Sequence, residues 1–167
     1  MKRILATVAA AVLLAVNALA QDGKAIYNKY SDCDDVSAVY ISSAMFRMIG
    51  KVPDMNLSSS PIKLGSLIRS LDSMYVLDCD DDELCGEIST DVRKLLKKYE
   101  FELLMEMKES GETVRIHTLG SEKVVNHFIL TASGEDSFTF IGLDGKMDRE
   151  ELEKEIAKAA RNLDRED

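Results

Sequence analysis

Apolar positions recur mainly at helical spacing as far as Tyr99 and then at every second position, so helices interrupted by short strands are expected first, followed by a run of strands and one last helix. Lys24 to Tyr30 predicts a short helix with Ile26 and Tyr30 on one face, and Val36 to Ile41 reads as a buried strand. Ser42 or Ser43 can cap a second short helix that presents Met45, Met48 and Ile49 and closes at Gly50. Val52 to Ser60, with Pro53 and three consecutive serines, has no apolar period and reads as a surface connection. After Pro61, the spacing of Leu64, Leu67, Ile68 and Leu71 is helical, and Met74 to Leu77 predicts a brief strand. The clearest helix follows. Leu84, Ile88, Val92, Leu95, Leu96 and Tyr99 form one stripe, with acids at its start and Arg93, Lys94, Lys97 and Lys98 near its end, the charge order that the helix dipole favours.

Phe101, Leu103, Met105 and Met107 then alternate with Glu102, Leu104, Glu106 and Lys108, which predicts a strand with one buried face. Turn signals at Ser110-Gly111, Gly120-Ser121 and Ser133-Gly134 separate three further runs, Thr113 to Leu119, Lys123 to Thr131 and Ser137 to Leu143. Asp144-Gly145 reads as a turn, Asp148 and Glu151 as a capping box, and Leu152, Ile156, Ala159, Ala160 and Leu163 as the apolar face of a last helix. The expected fold is α+β: a mostly antiparallel sheet with a C-terminal four-strand meander and helices packed on one face. No internal repeat suggests a solenoid.

The N-terminus adds an address. Lys2 and Arg3 precede an apolar run from Ile4 to Val16, about thirteen residues and so too short to span a bilayer, and Ala18-Leu19-Ala20 suits signal-peptidase cleavage before Gln21. Residues 1–20 are read as a signal peptide and 21–167 as a single α+β domain, placed in the periplasm or outside the cell, with no membrane span in the mature chain. Removing Lys2 and Arg3 with the leader takes the formal charge from −9 to −11. Such a chain repels phosphate backbones and anionic headgroups, which argues against nucleic acid as a partner and against electrostatic membrane docking.

The most site-like stretch is Asp78-Cys79-Asp80-Asp81-Asp82-Glu83-Leu84-Cys85, at a strand-to-helix junction. Neighbouring exposed carboxylates about 6 Å apart repel by roughly 0.7 kcal/mol in water. A helix N-terminus or a hard cation can offset that. Asp78, Asp80, Asp82 and Glu83 are the candidate metal ligands, although the sixth position of a calcium loop would be Glu83 instead of Gly and the twelfth Ser89 instead of Glu. The competing reading is an overloaded helix cap. Cys79 and Cys85 are the candidate disulfide in an oxidising compartment; Cys33, in the parallel phrase Asp32-Cys33-Asp34-Asp35, could pair with Cys79 instead. No Cys-x-x-Cys arrangement marks a redox enzyme.

A three-residue turn would set His117 and His127 diagonally on one face beside Arg115, a possible start of a zinc site but without an evident third ligand. Met45, Met48, Met105 and Met107 sit at core periods, and packing accounts for them. Neither a nucleophile elbow, nor a His-Glu-x-x-His helix, nor a phosphate-cradling glycine loop is present, and no residue pattern calls for a cofactor.

Three ordered segments carry a resemblance. Val39-Tyr40-Ile41-Ser42-Ser43-Ala44-Met45, then Asp91-Val92-Arg93-Lys94-Leu95-Leu96-Lys97-Lys98-Tyr99 running into Glu102-Leu103-Leu104-Met105-Glu106, and Gly142-Leu143-Asp144-Gly145-Lys146-Met147-Asp148 resemble the family called domain of unknown function 4252. The resemblance implies an exported protein of Bacteroidetes bacteria and a fold, but carries no catalytic or ligand residue to transfer. The resulting expectation is a non-enzymatic binding module of the cell envelope, meeting an envelope protein or a small ligand through a sheet face or edge left open by the helices. The alternatives are a Ca²⁺-regulated module built on residues 78–83 and an envelope hydrolase that uses carboxylates.

Overall fold

A computed structural model of the chain describes residues 23–49 and 70–163. The leader, the connection at 52–60, the closing Gly50 and the helical spacing that begins after Pro61 lie outside these residues, except that Leu71 opens a strand. Within them, α1 (residues 23–30) precedes β1 (Val36–Ser42) and α2 (Ser43–Ile49). Next come β2 (Leu71–Cys79) and α3 (Asp82–Lys98). Four strands follow, β3 (Glu102–Glu109), β4 (Glu112–Gly120), β5 (Val124–Ser133) and β6 (Phe138–Asp148), and α4 (Arg149–Leu163) completes the order.

The strands form one six-stranded sheet in the order β1-β2-β6-β5-β4-β3, antiparallel at every pairing. The α+β class and the C-terminal meander are as the periodicity predicted. The meander starts at the far edge because α3 carries the chain across the sheet. Its 17 residues give a rod of about 25 Å, enough to pass the four strand spacings, roughly 19 Å in all, that separate β2 from β3. Asp81 caps this helix, accepting from the Leu84 N–H at 2.8 Å. At its other end Phe101 N–H donates to Leu96 O and Glu100 N–H to Lys97 O, with Glu100 held at φ 54°. That is the paired-bond helix stop in which glycine usually occupies the left-handed position.

Neighbouring residues of one strand belong to different cores. Tyr75 and Leu77 pack with α1 and α3, around Ile26, Tyr30, Ile88, Val92 and Leu95, whereas Met74 joins Phe46 of α2 and Leu152 of α4. Ile129 likewise lies in the first cluster and Phe128 and Leu130 in the second. Because successive side chains point to opposite faces, helices cover both faces of the sheet and are not gathered on one as expected. The alternation is blurred in sequence because β2 and the meander strands are apolar on both sides.

Three local expectations are also corrected. The register shift between Leu103 and Met105 turns both Leu104 and Met105 toward the α4 side, leaving Leu103 51% exposed. Asp144-Gly145 is no turn: β6 runs through it with an irregularity opposite Leu71–Ser73, and α4 begins directly after Asp148, whose Oδ1 accepts from Glu151 N–H. In α2 Phe46 is buried, while Met45 and Met48 are 43% and 58% exposed, so packing does not account for these two methionines.

Candidate functional site

α3 packs on β2, β6 and β5, and between its flank and the same face of the outer strands β4 and β5 lies a cleft of about 390 Å³. Strand register decides which side chains line it. Arg115 stands opposite Thr131, His117 opposite Ile129, and Thr113 opposite Ser133, so alternate residues of β4 and β5 point at α3. From the helix come Ser89, Val92, Arg93 and Leu96, spaced three or four apart and therefore on one flank. Phe138 closes the inner end. The floor is thus mainly apolar, with the buried Thr131 beside Val92 and Phe138, and the rim carries two guanidinium groups, an imidazole and two hydroxyls.

The electrostatics of the cleft oppose those of the chain. Arg115 donates through Nε to Glu106 Oε2 at 2.7 Å, and Lys108 reaches Glu106 Oε1 at 2.9 Å, so one carboxylate faces two cations. Those contacts hold the Glu106 carboxyl below its ordinary range, Lys108 first and Arg115 second. Arg93 is folded against its own helix, with Nε on Ser89 O and Nη2 on Thr90 Oγ1, and meets no acid among the described residues. Burial, and then the nearby Arg115 charge, lower the His117 pKa below its ordinary value, so the ring is neutral at neutral pH. Its Nδ1 is buried without a hydrogen-bond partner among the described residues.

His117 and His127 do share a face, diagonally across the β4–β5 ladder, with Arg115 next along, as the turn length predicted. Their rings meet different chemistry. His127 Nδ1 lies 2.7 Å from Asp144 Oδ1, with both side chains only 8% exposed. Ser73 Oγ donates to Asp144 Oδ2 at 2.9 Å and Tyr75 OH to Oδ1 at 3.3 Å. Burial first, and Asp144 second, hold the Tyr75 hydroxyl well above its usual pKa. A buried acid–imidazole pair has the first two members of a hydrolytic relay, but His127 Nε2 has no hydroxyl or thiol partner among the described residues. Sequence reasoning missed this cluster. Its signal is an acid at the core-facing beat of β6, in step with Phe138, Phe140 and Gly142, which the Asp-Gly turn signature obscured.

Residues 78–83 are a helix start. Asp78, on β2, accepts from Thr139 Oγ1 at 2.6 Å, Asp81 is the cap, and Asp82 and Glu83 fill the first turn. Asp78, Asp80, Asp82 and Glu83 are all exposed, and no three His, Cys, Asp or Glu side chains converge on a metal position among the described residues. Cys33, Cys79 and Cys85 are free thiols, so the expected Cys79–Cys85 bridge is not formed. The two buried thiols are directed at the main chain, Cys85 Sγ at Cys79 O (3.0 Å) and Cys79 Sγ at Asp81 O (3.5 Å). Burial, followed by the hydrogen bond with Cys79, pushes the Cys85 thiol up to about 12.

Between α1 and α3 a third polar group serves as a clamp. Asp91 Oδ2 accepts from Lys29 Nζ at 2.8 Å and Tyr30 OH at 2.9 Å, while Oδ1 accepts from Lys94 Nζ at 3.1 Å. The Lys29 hydrogen bond foremost, with help from Lys94 and Tyr30, draws the Asp91 pKa down to about 2.

No helix among the described residues is long and apolar enough to cross a membrane. No curated protein matches the chain. The family model described as Domain of unknown function (DUF4252) matches residues 30–154, from the end of α1 into α4 and including every residue of the cleft. With that match spanning most of its 167 residues, the chain belongs to the DUF4252 family.

Proposed function

We propose that the protein is an exported binding module of the cell envelope that carries out no chemistry of its own. The observation that carries this reading is the cleft between α3 and the outer strands. It is concave, has a mainly apolar floor, and gathers polar groups from three elements, α3, β4 and β5, as ligand clefts of roughly 300–1,000 Å³ do. The leader-like residues 1–20 support export, and the acidic balance of the chain supports solubility outside the cytoplasm. The other reactive-looking groups serve the fold: Asp144 and His127 pair with each other, and Asp81 caps α3.

Hydrogen exchange of the purified protein, with and without low-molecular-mass and protein fractions of envelope extract, tests the binding reading. Added protection at residues 89–96 and 113–117 is expected. Unchanged exchange there with every fraction would overturn it. Mass spectrometry of the exported protein tests the address: the expected N-terminus is Gln21, and an intact Met1 on protein kept in the cytoplasm would refute it.

A further inference from the structure

The cleft has three features that together define a ligand class. Positive charge is in excess, because Glu106 answers Lys108 and Arg115 together, Arg93 has no acidic partner among the described residues, and no carboxylate lines the cleft. This occurs on a chain of net charge −9. Among the described residues Arg115 is engaged through Nε alone, which leaves its two terminal nitrogens as the planar fork that suits a carboxylate. His117 lines the cleft half-buried and neutral, with an enclosed Nδ1 that lacks a partner among the described residues although groups so placed are almost always paired. Finally, Val92, Leu96 and Phe138 give the floor an apolar character that a hydrated inorganic ion would not use.

From these observations we infer that the cleft binds a small organic anion: a carboxylate carried on an apolar body. The carboxylate sits between Arg115 and Arg93 within reach of His117, and the body lies along Val92, Leu96 and Phe138. This rests on the binding reading above and narrows it. A bare inorganic anion would leave the floor wet. A neutral apolar molecule would leave the two guanidinium groups and His117 Nδ1 unanswered.

The test is an NMR titration of the purified protein with decanoate, decanol and inorganic phosphate. Decanoate is expected to move the His117 ring and the amides of Ser89, Val92 and Thr131 saturably. Decanol should bind at least tenfold more weakly, and phosphate should give no saturable shift over the same range. Arg115→Gln should weaken decanoate at least tenfold with the melting temperature unchanged, and Arg115→Lys, which keeps the charge and loses the fork, should fall between. Equal binding of decanol, equal binding of phosphate, shifts confined to another surface, or an Arg115→Gln variant that binds as the parent does would each overturn the assignment. If no probe touches the cleft but envelope extract still protects it from exchange, the ligand class is wrong and the binding reading stands; if neither acts there, both fall.

Discussion

Asp144 accepts hydrogen bonds from three side chains on two strands, Ser73 and Tyr75 of β2 and His127 of β5, and it is almost removed from water. A carboxylate so placed is stable only while its donors remain, and removing it takes the acceptor from two hydroxyls and an imidazole N–H. Asp144→Ala is therefore expected to lower unfolding free energy by about 3 kcal/mol in urea titrations, the order found when one partner of a buried pair is deleted. Tyr75→Phe removes only the long bond and keeps the ring, so a loss of about 1 kcal/mol or less is expected from the same measurement. Equal losses would mean that the Tyr75–Asp144 bond by itself, and not the full set of donors on the carboxylate, governs the junction. The ring itself lies flat over Gly142, where any Cβ would collide with it. Gly142 is thus the position at which the strand gives up a side chain so that Tyr75 can reach Asp144.

At the scale of elements, α3 is stopped and clamped by identifiable residues. Glu100 occupies a left-handed conformation that costs an L-residue with a Cβ roughly 1–2 kcal/mol. Glu100→Gly should therefore raise stability by about 1 kcal/mol, read as a higher urea midpoint at unchanged slope. Asp91 ties α1 to α3 and has a pKa drawn down from 3.8 to about 2. Because the folded value is the lower one, its contribution is complete above about pH 4 and is lost as pH falls toward 2. The side chain is 24% exposed and its lysine partners more so, which limits the contribution to about 1–2 kcal/mol. Asp91→Asn should remove that part of the acid limb: between pH 4 and pH 2 the variant should lose less stability than the parent, while being weaker at pH 6. Parallel pH profiles for the two proteins would contradict the clamp.

For the whole molecule, the central pairing is also a distant one. β2 joins β6 with Cys79 opposite Phe138 and Leu77 opposite Phe140, so the sheet cannot close until α3 and the entire meander are in place. Sheets dominated by such pairings fold in milliseconds to seconds, the range expected in stopped-flow refolding; a microsecond phase carrying the full amplitude would show that closure is not limiting. The same architecture shields two thiols. Cys79 and Cys85 are buried at the β2–α3 junction and Cys33 is partly exposed, so thiol labelling of the native protein should modify Cys33 first. All three should react in denaturant without reductant; a mass showing a single adduct there would reveal one disulfide in the exported protein, and an adduct mapped to Cys33 would assign it to Cys79–Cys85.

Much of this was legible in the chain because secondary-structure signals are local. The stripe from Leu84 to Tyr99, the turns at Ser110-Gly111 and Ser133-Gly134, and the capping of α4 by Asp148 each depend on residues a few positions apart, and each stands where its spacing put it. Even the shared face of His117 and His127 followed from the length of one turn. What the sequence determined by itself was therefore the identity and order of most of the described elements, although Leu71, expected in a helix, opens β2. The tertiary structure alone decided that helices cover both faces, that Asp144 answers His127, and that Arg93 and Arg115 face one cleft, because each depends on strand neighbours and register between segments far apart in the chain, and a one-residue slip in either reverses every side chain.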